Sequence, residues 1–322
     1  MKSLYATTTD IHYLVKAFAL YRSFAPYLDA DTTFAFYCMD RQSAGLLENF
    51  GLDHCRVVEA GAFETAALKT ARRERAMNEY CWTCKPAILL HAIASQPNLD
   101  WAVYLDSDMM VFGNLDIPLI DAGEANVLLT PHRFATPEFM AEQNASGVYN
   151  AGYAAFRNSE EGNRALQWWL DRCLELCPNA PVDGIYADQT YLNSIPDLFS
   201  GVVPCHHKGL NAAPWNVDGV ATTSHGERIY MDDDQLLLYH FQAFQIYGYR
   251  LYDMYPGHIK ISTALVRHVY EPYASNLRQT FELLGQAMPG FRYGIQYLAS
   301  NPRLLVNKIK RWVLGLNNLL VV

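Results

Sequence analysis

The chain has 322 residues, 51% of them hydrophobic, which is enough to bury one large core or a core with an appendage and excludes a disordered chain. A net charge of -8 excludes a nucleic-acid surface, because phosphate backbones need a basic stripe. Seven cysteines, an odd number without a secretory framework, point to reduced thiols, and "MKSLYATTTD" has no apolar leader region, so a cytoplasmic protein is expected.

Short β-rich runs alternate with helical patterns through the first 130 residues, the reading of an α/β sheet with helices on both faces. "SLYATTT" is the first strand, a helix follows from His12 to Phe24, and "TTFAFYCMD" is the second strand. A helix from Ser43 to Phe50, the strand "CRVVEA" and a charged helical segment come next. "CKPAILLHAIASQ" reads as a helix with Pro86 in its first turn, where the missing N–H costs nothing. "WAVYLDSD" is a central strand, because its apolar run does not alternate and must be covered on both faces. Later segments, among them "ANVLLTPH", "GVYNAGYAAFRN", "ALQWWLDRCLELC" and "LLLYHFQAF", add to one edge of the sheet and cover its ligand face. The division expected is a catalytic unit over 1–255 and a helical C-terminal region over 256–322. No acidic residue follows Glu282, while Arg292, Arg303, Lys308, Lys310 and Arg311 are basic, so the last 22 residues read as a basic amphipathic helix. Such a helix suits an anionic membrane surface, or equally the core or a dimer contact.

Asp106 and Asp108 stand on either side of Ser107 at the end of the central strand, where α/β sheets bind ligands. As i and i+2 of a strand they would face one side, about 7 Å apart. Two close carboxylates repel, and an oxygen-donor pair of this kind suits Mg²⁺ or Mn²⁺. A pair of solvated acids in a turn is the alternative. The flanking "WAVYL" and "MMVF" weigh against it, because a buried element presents the acids.

"WAVYLDSDMMVFGNLDIPL" resembles the DxD strand of nucleotide-sugar glycosyltransferases with the GT-A fold, a Rossmann-like mixed sheet flanked by helices. "YATTTDIHYLVKAFALYRSF", "YNAGYAAFRN", "YADQTYLN", "GLNAAPWN" and "YHFQAF" are similar to further segments of that group in the expected order, across residues 1–250, with family 8 and its bacterial relatives nearest. The resemblance implies a divalent metal on Asp106, Asp108 and His240, with Asp106 or Ser107 touching the ribose. It implies a nucleoside site at Thr7, Thr8, Asp10 and Tyr13, although Asp10 also fits a helix cap. Lys85 would meet the diphosphate or fix the DxD loop, or else be a solvated lysine. Asn150, Gly152, Asn211, Trp215 and Asn216 would shape the sugar and acceptor pocket, unless Trp215 is core, and Asp188 and Gln189 would lie beside the reactive carbon.

The donor implied is a UDP-sugar, with a GDP-sugar second, and the acceptor a glycan or glycolipid, with retention expected; Asp188 as a base would instead give inversion. One departure is visible. Members of the group often read HxxGxxKPW after the metal histidine, and here "HFQAFQIYG" has Ala243 and no lysine, which leaves the phosphates to the metal with Lys85, Lys208 or Arg250. Two rival readings are a catalytically silent sugar-nucleotide or glycan binder and a Mg²⁺ phosphatase of the haloacid-dehalogenase type. The latter wants its DxD on the first strand and Thr or Val where Met110 stands. Cys81 and Cys84 form a CxxC, yet far from the first strand that a redox motif follows.

Overall fold

The computed structural model describes residues 1–296, 302–316 and 318–322. Strands β1 (Ser3–Thr9), β2 (Thr32–Cys38), β3 (Cys55–Glu59) and β4 (Trp101–Leu105) run parallel, and β1 and β4 are buried along their full length. Short β5 (Met109–Val111) leaves this sheet, while β6 (Val127–Pro131), β7 (Tyr149–Arg157) and β8 (Val202–Pro204) extend it. The seven strands lie in the order β3-β2-β1-β4-β7-β6-β8, with β7 antiparallel to both of its neighbours. The expected mixed α/β sheet is therefore present, and "WAVYL" is its central strand.

Alternation along the strands divides the core into two layers. Tyr5, Trp101, Val103 and Tyr153 face α1 (Leu14–Phe24), and Leu4, Ala102, Tyr104 and Ala154 face the other way. Helix α2 (Arg41–Glu48) starts two residues earlier than expected, because the Asp40 carboxylate accepts from Ser43 N at 2.8 Å and caps it. After α3 (Ala66–Glu74), helix α4 (Met77–Ser95) begins well before Cys84. This corrects the first-turn placement of Pro86, which sits mid-helix. Glu79 accepts from Ala76 N at 3.0 Å and starts the helix there, and burial among apolar neighbours outweighs the hydrogen bond lost at Pro86.

The next helices are α5 (Ile117–Asp121), α6 (Pro137–Ser146), α7 (Glu160–Glu175), packed on α4, and α8 (Ile195–Leu198). A hairpin of β9 (Thr222–His225), β10 (Arg228–Met231) and β11 (Asp234–Gln235) follows, and then β12 (Leu238–His240) pairs with β5. Strands β13 (Gln245–Ile246) and β14 (Leu251–Asp253) lead into α9 (Thr263–Leu265) and, through a π-helical turn, α10 (Glu271–Ala287). Helix α10 packs on α1, and its Tyr273 and Leu277 join the apolar layer that holds Phe18.

The C-terminal segment corrects the single-helix expectation. Helix α11 spans Pro302–Val313, Gly315 takes a φ of 70°, and the chain returns as β15 (Leu319–Val321) on β14. Buried Asn318 fixes that return by donating to the Tyr255 and Ile259 carbonyls at 2.9 and 2.8 Å. Lys308 and Arg311 also point inward, to Asp253 at 3.0 and 2.8 Å. The side chains of Leu304 and Leu305 lie outside the described residues.

Candidate metal and donor site

After β4 the chain turns through Asp106, Ser107 and Asp108 before β5 begins. The two acids therefore sit in a turn, not on the regular strand expected, but a turn held at both ends. Asp106 N donates to Gly152 O at 2.9 Å, and Phe241 N donates to Asp108 O at 2.8 Å. Pairing of β5 with β12 sets His240 opposite Met109 and so delivers the imidazole to the acids.

His240 Nε2 lies 3.2 Å from Asp108 Oδ1 and 3.9 Å from Asp106 Oδ2, and one ligand atom from each of the three residues falls within 4.8 Å of the others. The other ring nitrogen, Nδ1, faces Asn211 Oδ1 at 3.3 Å. Asn211 spends its amide donors on Thr130 Oγ1 and Asn150 Oδ1, which leaves its oxygen as the acceptor and assigns the proton to Nδ1. The Nε2 lone pair is then directed at the acids, the outer support a metal histidine needs. Asn211 has a φ of 54°, a left-handed conformation that asparagine tolerates. Burial opposes the Asp108 charge, but an imidazolium at His240, in place of the lone-pair form that would meet a metal, and Lys16 outweigh it and hold this carboxyl well below the usual range. Two carboxylates and one imidazole, with neighbouring space for further ligands, fit a divalent cation such as Mn²⁺ or Mg²⁺.

Lys85 is no surface lysine. It is 3% exposed, and its Nζ lies 3.0 Å from Asp106 Oδ1 and, at ion-pair distance without hydrogen-bond geometry, 3.4 Å from Asp188 Oδ2. The ring centre of Tyr104 is 4.8 Å away. Burial disfavours the Lys85 charge, yet Asp106 and Asp188 outweigh it and raise its pKa. For Asp188 burial wins over Lys85, and with Asp106 nearby its carboxyl is pushed up to about 6.

A cleft of about 910 Å³ opens over these groups. Of the residues singled out in the sequence, Thr8, Asp10, Tyr13, Lys85, Asp106, Ser107, Asp108, Asn150, Gln189, Trp215 and His240 line it. Thr8 Oγ1 is within 2.7 Å of Tyr104 Oη, and Asp10 accepts from His12 N and Tyr13 N, so Asp10 shapes the turn into α1 as well as facing the cleft. The Gln189 amide donates to Ser146 O at 2.9 Å, and Trp215 stands edge-on to His240 with ring centres 5.2 Å apart.

Thr7, Gly152, Asp188, Asn211 and Asn216 are not brought to the cleft wall. Thr7 is fully buried, and Asn216 braces a loop by accepting from Ala213 N and donating to the His132 and Asn211 carbonyls. Gly152 is needed for close approach, since a Cβ there would lie 2.9 Å from Asp106 Oδ2. Lys208 is exposed and pairs with Asp232, and neither it nor Arg250 lines the cleft. Cys81 and Cys84 lie within α4, and burial pushes the Cys81 thiol up to about 12, the reverse of a reactive cysteine.

Several positions around the site escaped the sequence reading. Lys16 Nζ lies 3.9 Å from Asp108 Oδ2. His132, held neutral by burial with its pKa down to about 4, accepts from Asn150 at 3.3 Å and stacks on Phe134, with ring centres 4.6 Å apart. Phe134, Phe139, Trp82 and Tyr186 also line the cleft. The available signals were Lys16 as the one charge amid the apolar run "LVKAFAL" and the paired aromatics of "HRFATPEF".

Fold and site together define a class of protein, an α/β chain with a metal-ready acid pair at the carboxyl end of its central strand. Two Bacillus subtilis (strain 168) proteins are similar in sequence. Uncharacterized protein YfnF is 29% identical over 295 residues, 90% of this chain and 92% of its own length, and uncharacterized protein YfnD is 28% identical over 260 residues, 80% and 83%. No protein-family model matches. Among solved structures, the galactosyltransferase LgtC in complex with donor and acceptor sugar analogues matches with a TM-score of 0.49 at 15% identity, over 88% of this chain and 95% of that one. The glycosyltransferase GlyE of Streptococcus pneumoniae TIGR4 matches with a TM-score of 0.48 at 16% identity, over 88% and 63%. At such scores the likeness is distant, and the chemistry of the cleft itself has to carry the functional reading.

Proposed function

We propose that the chain is a metal-dependent glycosyltransferase of GT-A type, which transfers a hexose from a nucleoside-diphosphate sugar to a glycan or glycolipid with retention of configuration. UDP is the first choice of nucleotide and GDP the second. The observation that carries this reading is the convergence of Asp106, Asp108 and His240 at the base of a large cleft, beside buried Lys85.

Asp106, Asp108 and His240 would hold Mn²⁺ or Mg²⁺, which when bound supplies positive charge to the departing diphosphate. Thr8, Asp10 and Tyr13 form the nucleoside end of the cleft. Lys85 holds Asp106 in place and offsets its charge. The reaction breaks the bond between the anomeric carbon and the phosphate oxygen and forms one from that carbon to the acceptor oxygen, and the acceptor proton passes to the departing phosphate. Gln189 and Asn150 face this region, whereas Asp188 is buried against Lys85 and is poorly placed to reach an acceptor hydroxyl, which supports retention over inversion. The aromatic faces of Phe134, Phe139, Trp82 and Tyr186 suit the apolar faces of an acceptor's sugar rings.

Residues 1–255 are read as the catalytic unit and 256–322 as an extension that buttresses α1. On α11, Val306, Ile309, Trp312 and Val313 form an exposed apolar arc beside Lys310, which supports peripheral contact with an anionic membrane from the cytoplasmic side. No helix among the described residues is long and apolar enough to cross a membrane. The test is release of nucleoside diphosphate from a panel of UDP- and GDP-sugars with Mn²⁺. Hydrolysis or transfer with one donor supports the reading, and nucleotide binding without any turnover would favour the silent binder.

A further inference from the structure

The carboxylates at the base of the cleft outnumber the cations. Asp106, Asp108 and Asp188 carry up to three negative charges, and Lys85 is engaged by two of them. A bound divalent ion alone would leave a diphosphate facing little net positive charge. Lys16 answers this need. It projects from α1, its Nζ donates to Phe244 O at 3.2 Å, and it lies 3.9 Å from Asp108 Oδ2, while the other oxygen of that carboxylate faces His240. The half-buried ammonium is thus held between the turn after His240 and Tyr13, 5.3 Å from that ring's centre, beside cleft-lining residues although Lys16 is not itself one of them. Gln242 and Ala243 of that same turn line the cleft.

The turn itself is informative. Ala243 has a φ of 62°, a conformation that favours glycine, so the backbone there keeps a glycine-like shape without glycine. No lysine follows it before Lys260, and Ile246 is buried. Among the described residues, Lys16 and Lys85 are the lysines and arginines within 4.0 Å of the three carboxylates.

We propose that Lys16 is a diphosphate-binding residue, reaching from α1 to supply the positive charge that the segment after His240 lacks. This rests on the nucleotide-sugar reading above. A role confined to steering Asp108 would act on metal binding instead, so the two roles separate by measurement.

The experiment compares wild type with Lys16→Met, Lys16→Arg and Lys16→Gln by calorimetric titration of the full chain. The probes are Mn²⁺ alone, then uridine and UDP at saturating Mn²⁺. Lys16→Met is expected to weaken UDP binding about tenfold or more, the scale of a lost charge-assisted contact to phosphate. Uridine binding is expected to stay unchanged, and Mn²⁺ affinity to stay unchanged or rise, because a cation beside Asp108 has gone. Lys16→Arg is expected to keep most of the UDP affinity. Lys16→Gln retains a donor for Phe244 O and carries the same test if the methionine variant does not fold. Wild-type UDP affinity in the neutral variants, or a fall in Mn²⁺ affinity that accounts for the UDP loss, overturns the proposal. If wild type binds neither UDP nor GDP with Mn²⁺, the function itself is overturned, and Lys16 as a diphosphate ligand falls with it.

Discussion

Gly152 lies on β7 directly behind the first acid of the pair, and replacing it with alanine is a sensitive probe of the site. A Cβ at this position would lie 2.7 Å from Asn150 Oδ1, 2.8 Å from Met109 Cε and 2.9 Å from Asp106 Oδ2, where an ordinary contact begins at 3.4 Å. The Met109 methyl can swing away. Asn150 Oδ1 is less free, since it accepts from Gly152 N and Asn211 Nδ2 at 2.9 and 3.0 Å. Asp106 must therefore move by about half an ångström, more than the ~0.2 Å that metal–ligand distances tolerate. Gly152→Ala is expected to cost about 1–3 kcal/mol of stability through overpacking. It is also expected to lower Mn²⁺ affinity by about 10–100-fold, the scale seen when the support of a metal ligand is disturbed. Thermal unfolding and Mn²⁺ titration on the same preparation give both numbers. Wild-type Mn²⁺ affinity in this variant would refute the placement of Asp106 as a ligand pressed against the β7 backbone.

Asn211→Gly keeps the left-handed backbone but removes the acceptor for His240 Nδ1, and a loss of about 10–100-fold in Mn²⁺ affinity is expected; an unchanged titration would remove Asn211 from the supporting shell. Asp188 gives a pH signature. Its folded-state pKa of about 6 lies above the ordinary aspartate value of 3.8, so the folded protein holds the proton more tightly than the unfolded chain. That contribution is complete below about pH 4 and is lost as the pH rises through about 6. Asp188→Asn should flatten the fall in unfolding temperature across this window, and an unaltered pH profile would contradict the burial argument.

Much of the fold was legible because its signals are local. "WAVYL" cannot alternate and must be covered on both faces, which placed β4 at the sheet centre and the acids at its ligand end. His240 was harder, because only the pairing of β12 with β5 brings it to Asp108, and such a contact leaves no periodic trace. Pro86 misled because proline ordinarily marks a first turn, whereas here the Glu79 cap and the packing of α4 carry the helix through it. Lys85 and Lys16 resemble helix-surface lysines until the fold buries the first against Asp106 and brings the turn after His240 to the second. Asn211 and Asn216 were linked to the sugar pocket, but both lie behind its wall, and the sequence has no marker that separates a lining amide from one that supports the lining. At the C-terminus the helical pattern concealed Gly315 and Asn318, which turn the chain back into a strand.

The most direct test of the account is calorimetric titration of UDP and GDP into the protein with and without Mn²⁺, repeated with Asp108→Asn. The account predicts binding of one nucleotide, UDP first, that requires Mn²⁺ and is lost in the variant. Nucleotide binding that ignores both Mn²⁺ and the Asp108 substitution, or no binding by the wild-type protein, would contradict it.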